Sequence, residues 1–293
     1  MGPYSLGLEA AAHAGLVAGD EGHLNRSDTS CWDVGHFALE ALCNTASLSL
    51  PFVEAARMAL EPLTAGHKTD VSIANDGLDV GVDNAVKTWL WLDVRFGAYL
   101  AGNHVAARAS AAMGAALIRA VTAGFTGDPS TGGIAPPAAA ALAAIKRASG
   151  PAGGVGARPR GHLCVIFGAV VGCLGLSATR AARLFMYLTL RDTLSAATRL
   201  NLVGPLEAAA VLRRCSRTAE KMSLTAAMAA TDAAAATDAD AGKKLGERAT
   251  PQNCDAGVPA AIAAVVSRAA ATSPIVDILQ GGHDSLYSRL FSS

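Results

Sequence analysis

Apolar residues, mostly alanine, valine and leucine, recur at helical spacing along almost the whole chain of 293 residues. No run of alternating apolar and polar residues, the pattern of a half-buried β-strand, interrupts them. Hydrophobic residues make up 51% of the chain but aromatic residues only 5%. Because small side chains let helices approach closely, we predict an all-α fold. It is a single compact multi-helix domain, residues 1–293, with low-complexity insertions.

The periodicity also predicts where the helices lie. They cover residues 6–17, 34–60, 84–102, 104–121, 137–148, 161–175, 178–202, 205–222 and 258–271. One side of the helix at 104–121 carries only Ala106, Ser110 and Gly114, so a neighbouring helix is expected to approach it closely. The step Gly204-Pro205 is typical of one helix ending and the next beginning.

Two stretches differ in composition from the predicted core. Residues 122–160 are rich in glycine, proline and alanine. Residues 224–257 are low in complexity and have few large apolar side chains that could be buried in a core. Segments of this kind do not bury enough apolar surface to offset the entropy of ordering. We predict that both are flexible insertions.

Charge and hydropathy exclude several classes of partner. Lysine plus arginine and aspartate plus glutamate number 24 each, so no electrostatic surface for nucleic acid or anionic membrane is expected. The most apolar run, residues 163–176, is shorter than the roughly 20 residues of a membrane-spanning helix. The six cysteines lack disulfide-scaffold spacing, and Cys164 and Cys173 are expected to be core thiols. With no secretory signal pattern at its start, the chain is expected to be cytoplasmic.

Common catalytic motifs are absent from the sequence. It has no G-x-x-x-x-G-K-[ST] phosphate loop, no G-x-S-x-G elbow and no H-E-x-x-H zinc motif. Cys31, His36 and Cys43 follow a spacing unlike standard zinc sites, which favours an ordinary thiol and imidazole over metal ligands. We therefore predict no metal site and no tightly bound cofactor.

A few polar residues remain as candidates. Glu9 and His13 lie four residues apart on the first helix, where they could form a surface ion pair or contribute to a metal or proton path. His162 begins the apolar helix, where it either satisfies local backbone groups or has a functional role.

The densest polar signal is the run RDTLSAATRLNLVGP, residues 191–205. Arg191 and Arg199 share one face of a leucine-rich helix, and Asp192 is placed to pair with either guanidinium. Leu190, Leu194 and Ala197 are expected to face the core. A helical enzyme acting on a small metabolite through His162, Arg191 and Asp192 is an alternative, provided that one concave pocket holds all three.

The C-terminus is unusually apolar for a chain end, because terminal residues are rarely held down. Leu286, Tyr287, Leu290 and Phe291 surround Arg289 within the last eight residues. In a helix, Leu286 would stack on Leu290 and Tyr287 on Phe291. Such a compact set is typical of a protein–protein anchor, and the alternative is packing on the chain's own core.

Four stretches, in order, carry a resemblance to a known family: GLEAAAHAGLV, ARASAAMGAALIRA, RDTLSAATRLNLVGPLEAA and SPIVDILQGGHDSLYSRLFSS. Together they resemble the F-type urease accessory proteins, UreF, over most of the chain. The resemblance implies an all-α, homodimeric chaperone of urease maturation that catalyses nothing itself. Such proteins bridge the D-type accessory protein, also called H-type, to the G-type GTPase, and the assembly delivers nickel to apo-urease.

The resemblance also implies roles for particular residues. The tail, residues 274–293, is expected to bind the D-type partner through His283, Leu286, Tyr287, Arg289, Leu290 and Phe291. Glu9, His162, Arg191 and Arg199 match further family positions and are expected to contact partners or line the nickel passage. One departure is the P-T-G-G-F-like stretch usual before the first helix, which is absent here or replaced by residues 2–5.

Overall fold

The computed structural model describes residues 7–17, 33–65, 75–125, 133–149, 159–241 and 257–286. These residues form helices and no β-strand, which confirms the predicted all-α fold. The α-helices are α1 Leu8–His13, α2 Val34–Asn44, α3 Leu50–Leu60, α4 Pro62–Ala65, α5 Asn75–Tyr99, α6 His104–Gly124, α7 Pro136–Ala148, α8 Leu163–Cys173, α9 Ala178–Arg199, α10 Pro205–Ala241, α11 Ala260–Val266 and α12 Pro274–Gly281. A 3-10 turn, Gly282–Ser285, follows α12.

Helix α8 is the centre of the core, and every residue from Cys164 to Cys173 is buried. Its two internal glycines face α3. A Cβ on Gly168 would overlap the carbonyl oxygen of Val53, and a Cβ on Gly172 would lie 2.6 Å from the carbonyl oxygen of Arg57. The two backbones therefore approach as closely as they do because neither position carries a side chain.

The small face of α6 is also in contact, as predicted, although mainly with the start of α8. Ser110 Oγ accepts a hydrogen bond from the backbone N–H of Leu163 at 3.1 Å. A Cβ on Gly114 would overlap the carbonyl oxygen of Gly161. The stripe of small residues thus accommodates a turn of backbone that enters α8.

Two predicted helix boundaries changed in detail. The single helix predicted at 34–60 is α2 and α3 joined by a π-helical turn, Thr45–Ser49, immediately before Pro51 of α3. The break at Gly204-Pro205 is confirmed, with Asn201 in the left-handed region at φ 55°. Helix α10 continues well beyond the predicted end at residue 222.

Helices lie inside both predicted insertions. Helix α7, within 122–160, buries Ala138, Ala141, Leu142 and Ile145 completely. Helix α10 runs into 224–257, where Ala227 and Ala230 are buried. The described parts of both segments therefore belong to the folded domain, because buried side chains of each join its hydrophobic core. Residues 126–132, 150–158 and 242–256 lie outside the described residues, and the predicted flexibility stays a prediction.

One helix in the described part of the chain, α6, is long and apolar enough to cross a membrane by length and composition. Its most apolar window has a mean hydropathy of 1.2, and 44% of that window is buried inside the fold. Core helices of water-soluble proteins pass the same test, so this helix is weak support for a membrane span. The apolar run predicted to be too short forms α8, which has 11 residues.

Candidate functional site

The candidate site is centred on residues 274–286, which we call the C-terminal anchor. It consists of α12, the 3-10 turn and Leu286, and it contacts α1 and α6. The close approach to α1 depends on Gly7, which has φ +86° and whose Cβ would lie 3.0 Å from the backbone nitrogen of Gln280. A side chain at position 7 would therefore be strained and would also displace α12.

A buried contact between a histidine and a carboxylate links the anchor to the first helix. His283 Nε2 lies 2.9 Å from Glu9 Oε2, and the two side chains are only 1% and 2% exposed. One of the two alternatives for Glu9, a surface ion pair with His13, is wrong, because the whole Glu9 residue is 1% exposed and the His13 ring lies 2.9 Å from the Glu9 carbonyl oxygen instead. A carboxylate buried this deeply requires polar partners, and one of them comes from the other end of the chain.

The next residue of the anchor, Asp284, is held by α6. Arg108 donates two hydrogen bonds to its carboxylate, at 2.7 and 3.1 Å, and His104 Nε2 lies 3.1 Å away. The hydrogen bonds from Arg108, followed by those of His104, lower the pKa of Asp284 to about 2. The carboxylate is therefore ionised at every physiological pH.

Asn103 joins the start of α6 to α12. Its Oδ1 accepts a hydrogen bond from the backbone N–H of Ala106 at 3.0 Å, the arrangement of a helix N-cap. Its Nδ2 donates to the carbonyl oxygen of Asp277 at 3.1 Å and to Gln280 Oε1 at 3.3 Å. A single amide thus caps α6 and fixes α12 against it.

The outer face of the anchor is apolar. Ile275 and Ile278 are 50% and 73% exposed, whereas Val276 on the inner face is 2% exposed. The 3-10 turn ends at Ser285, and Leu286 has an extended backbone. A single helix therefore does not run from the turn through Leu286 into the tail. Leu286 is half-buried, while Tyr287, Arg289, Leu290 and Phe291 lie outside the described residues.

His162 is buried rather than exposed. It occupies the N-cap position of α8 without a side-chain capping bond, and its Nδ1 has no hydrogen-bond partner in the structure. Its ring stands edge-on to Phe96 with the ring centroids 5.3 Å apart. Burial is the main cause of its lowered pKa, partly opposed by Asp93, so the imidazole is neutral at pH 7.

The carboxylate that caps α8 is Asp93, which the sequence analysis missed. It is 1% exposed and accepts hydrogen bonds from the backbone N–H groups of Arg160, Gly161 and His162 at 2.6, 3.0 and 2.7 Å. A negative charge at the start of a helix also interacts favourably with the helix dipole. Asp93 therefore fixes the position of His162 and of the whole core helix.

We expect Asp93→Asn to lower the free energy of unfolding by about 2 kcal/mol, because the amide replaces a charged acceptor with a donor facing backbone N–H groups. Urea unfolding followed by circular dichroism measures this difference. Asp83, exposed on the same helix, provides the control, and Asp83→Asn should change stability by less than about 0.5 kcal/mol. Equal stability of the two variants would show that the cap is unimportant.

The arginine-rich helix is arranged as predicted. Leu190, Leu194 and Ala197 of α9 are buried, while Arg191 and Arg199 are exposed. Arg191 pairs with its neighbour Asp192 at 2.6 Å. Its guanidinium thus remains at the surface, where it is accessible to a partner.

Two of the three residues of the alternative enzyme line one cavity, and the third does not. Arg191 and Asp192 line a cavity of about 270 Å³, together with apolar residues of α5, α6, α8 and α9 and polar residues such as Ser110 and Gln280. His162 does not line this cavity. The enzyme hypothesis required all three groups in one concave site, and this cavity does not contain His162.

Metal-ligand geometry is likewise missing from the described parts of the chain, which contain no group of three or more His, Cys, Asp or Glu side chains suited to a metal ion. His36 instead lies 3.0 Å from Asp33, and Cys31 lies outside the described residues. Cys164 and Cys173 are core thiols as predicted. Burial raises the pKa of Cys173 to about 12 and that of Cys164 well above its ordinary value.

These features define a class of protein: an α-helical scaffold that holds its C-terminal segment against its first helix. A sequence model of the UreF family matches residues 33–216. The urease accessory protein F of Arabidopsis thaliana is 31% identical over 290 residues, which cover 99% of this chain and 85% of that protein. The chain therefore belongs to the UreF family, and the predicted resemblance is confirmed.

Other relatives agree with this assignment. Urease accessory protein F of Oryza sativa subsp. indica is 28% identical over 289 residues, covering 98% of this chain and 77% of the relative. Urease accessory protein 6 of Cryptococcus neoformans var. grubii is 30% identical over 142 residues, covering 45% of this chain and 39% of the relative.

Proposed function

We propose that this chain is a non-catalytic adaptor in urease maturation. It bridges the D-type accessory protein, also called H-type, and the G-type GTPase, so that the assembly delivers nickel to apo-urease. Membership of the UreF family supports the role in urease maturation. The proposal further includes a homodimer in the cytoplasm, with nickel as cargo of the assembly rather than a resident cofactor.

The observation that carries the adaptor role is the C-terminal anchor. It is fixed to the body of the protein on its inner face by the Glu9–His283 pair and presents Ile275 and Ile278 to solvent on its outer face. Exposed apolar side chains on a helix only a few residues before an apolar stretch of sequence are of the type that protein partners cover. The D-type protein is the partner that we assign to this surface.

Co-purification tests the proposal. The full chain, co-expressed with a D-type accessory protein that carries an affinity tag, is expected to elute with it in size-exclusion chromatography. Addition of the G-type GTPase should then shift the complex to a larger size. Independent elution of all three proteins over a range of concentrations would contradict the adaptor role.

We expect Ile278→Asp to weaken binding of the D-type protein by at least about tenfold, because a carboxylate would be buried without a partner in an apolar contact. Calorimetric titration measures the loss. Leu206 on α10 is 89% exposed, and Leu206→Asp is the matched control with unchanged affinity. Equal affinities of the two variants would place the D-type interface elsewhere.

A further inference from the structure

We propose that Glu9 and His283 are positioning residues: from inside the fold, they fix the backbone that leads to Leu286 and so control capture of the partner. This inference rests on the proposed function. It changes the role expected for both residues, because side chains that are 2% and 1% exposed do not offer a contact surface to another protein.

The geometry of the 3-10 turn supports this role. Two consecutive residues are held by two different helices: His283 by Glu9 of α1, and Asp284 by Arg108 and His104 of α6. Attachment of consecutive residues to two different helices holds this part of the backbone in place. Leu286, itself expected to bind the partner, follows within three residues, and Tyr287 comes directly after it.

The two attachments are unequal. The partners of Asp284 are exposed, at 50% for Arg108 and 69% for His104, and exposed ion pairs contribute little to stability. The Glu9–His283 pair is buried, and removing one member of a buried pair is strongly unfavourable. Loss of the buried pair should therefore release the anchor, whereas loss of Arg108 should not.

Release of the anchor lowers affinity without altering the contact residues themselves. Suppose that a partner binds only those molecules whose anchor is in place. The apparent Kd then equals the intrinsic Kd divided by the fraction of molecules with the anchor in place. A variant that keeps the anchor in place in about one tenth of its molecules would thus bind about tenfold more weakly. The defect originates in the free chain and is measurable there.

Two measurements on the full chain test this inference. Hydrogen exchange on free Glu9→Ala is expected to be at least about tenfold faster in residues 274–286 and unchanged in α8. The Kd of this variant for the D-type accessory protein should rise by a similar factor. The double variant with the two residues exchanged, Glu9→His with His283→Glu, should recover part of both losses, because it restores the contact between the two positions.

The control is Glu54→Ala, which removes another poorly exposed pair, Glu54–Arg57 at 2.7 Å on α3. It should leave exchange in the anchor and the Kd unchanged. Provided that the wild-type chain binds the D-type protein, the inference would be overturned if Glu9→Ala left either the hydrogen exchange of the anchor or the Kd unaltered. If the wild-type chain itself does not bind the D-type protein, the proposed function fails first, and the positioning role fails with it.

Discussion

Replacing Gly168 with alanine is expected to lower the free energy of unfolding by about 3 kcal/mol, the upper range for overpacking a core. The added methyl group would overlap the carbonyl oxygen of Val53 and lie 2.8 Å from the Cβ of Ala56. Helix propensity alone predicts the opposite sign, because alanine is favoured over glycine in a helix by about 1 kcal/mol. The sign of the change in the free energy of unfolding therefore shows whether close packing or helix propensity dominates at position 168.

Gly124, the last residue of α6, provides the control for this substitution. Among the described residues, no atom outside its own helix turn lies within 4 Å of its Cβ position, so Gly124→Ala should be neutral or slightly stabilising. Denaturant unfolding of both variants beside the wild-type chain measures the difference. A Gly168→Ala variant as stable as Gly124→Ala would contradict the close contact between α3 and α8.

Removal of residues 287–293 is expected to weaken binding of the D-type protein by roughly a hundredfold or more. This is about the affinity that an interface loses when one or two of its hot-spot residues are removed. Tyr287, Arg289 and Phe291 are the aromatic and arginine side chains that dominate such interfaces. A longer deletion, from residue 283, would also remove His283 from the buried pair with Glu9. The shorter deletion removes the expected contact residues but keeps the anchor, so it tests the contact residues alone.

Two further variants make this result interpretable. Removal of Ser292 and Ser293 only should leave binding unchanged, because neither residue carries an anchoring side chain. Thermal unfolding of the chain without residues 287–293 should match that of the full chain, since the Glu9–His283 pair is retained. A large loss of stability would mean that these residues pack on the domain itself.

The helices and much of the core could be predicted because their signal is local. The periodicity of alanine and leucine located α6, α7 and α9 closely, and it placed Leu190 and Leu194 in the core. It missed α12, whose eight residues begin with Pro274 and include no long periodic pattern. The UreF resemblance likewise depended on contiguous motifs that are visible in the sequence.

The contacts that build the site could not be predicted in the same way. Glu9 and His283 are separated by 274 positions, so no local pattern connects them, and the nearer His13 suggested the wrong partner. Asp93 resembled any polar residue on a helix, because its partners are backbone N–H groups about 68 residues further on. Only the packing of α5 against the start of α8 brings these groups together.

The most direct test of the adaptor role is size-exclusion chromatography of the full chain and of the chain lacking residues 287–293. Each is co-expressed with the D-type accessory protein and the G-type GTPase. We expect the full chain to elute with both partners in one complex and the shortened chain to elute without them. A shortened chain that assembles the same complex would contradict the account, as would a full chain that binds neither partner.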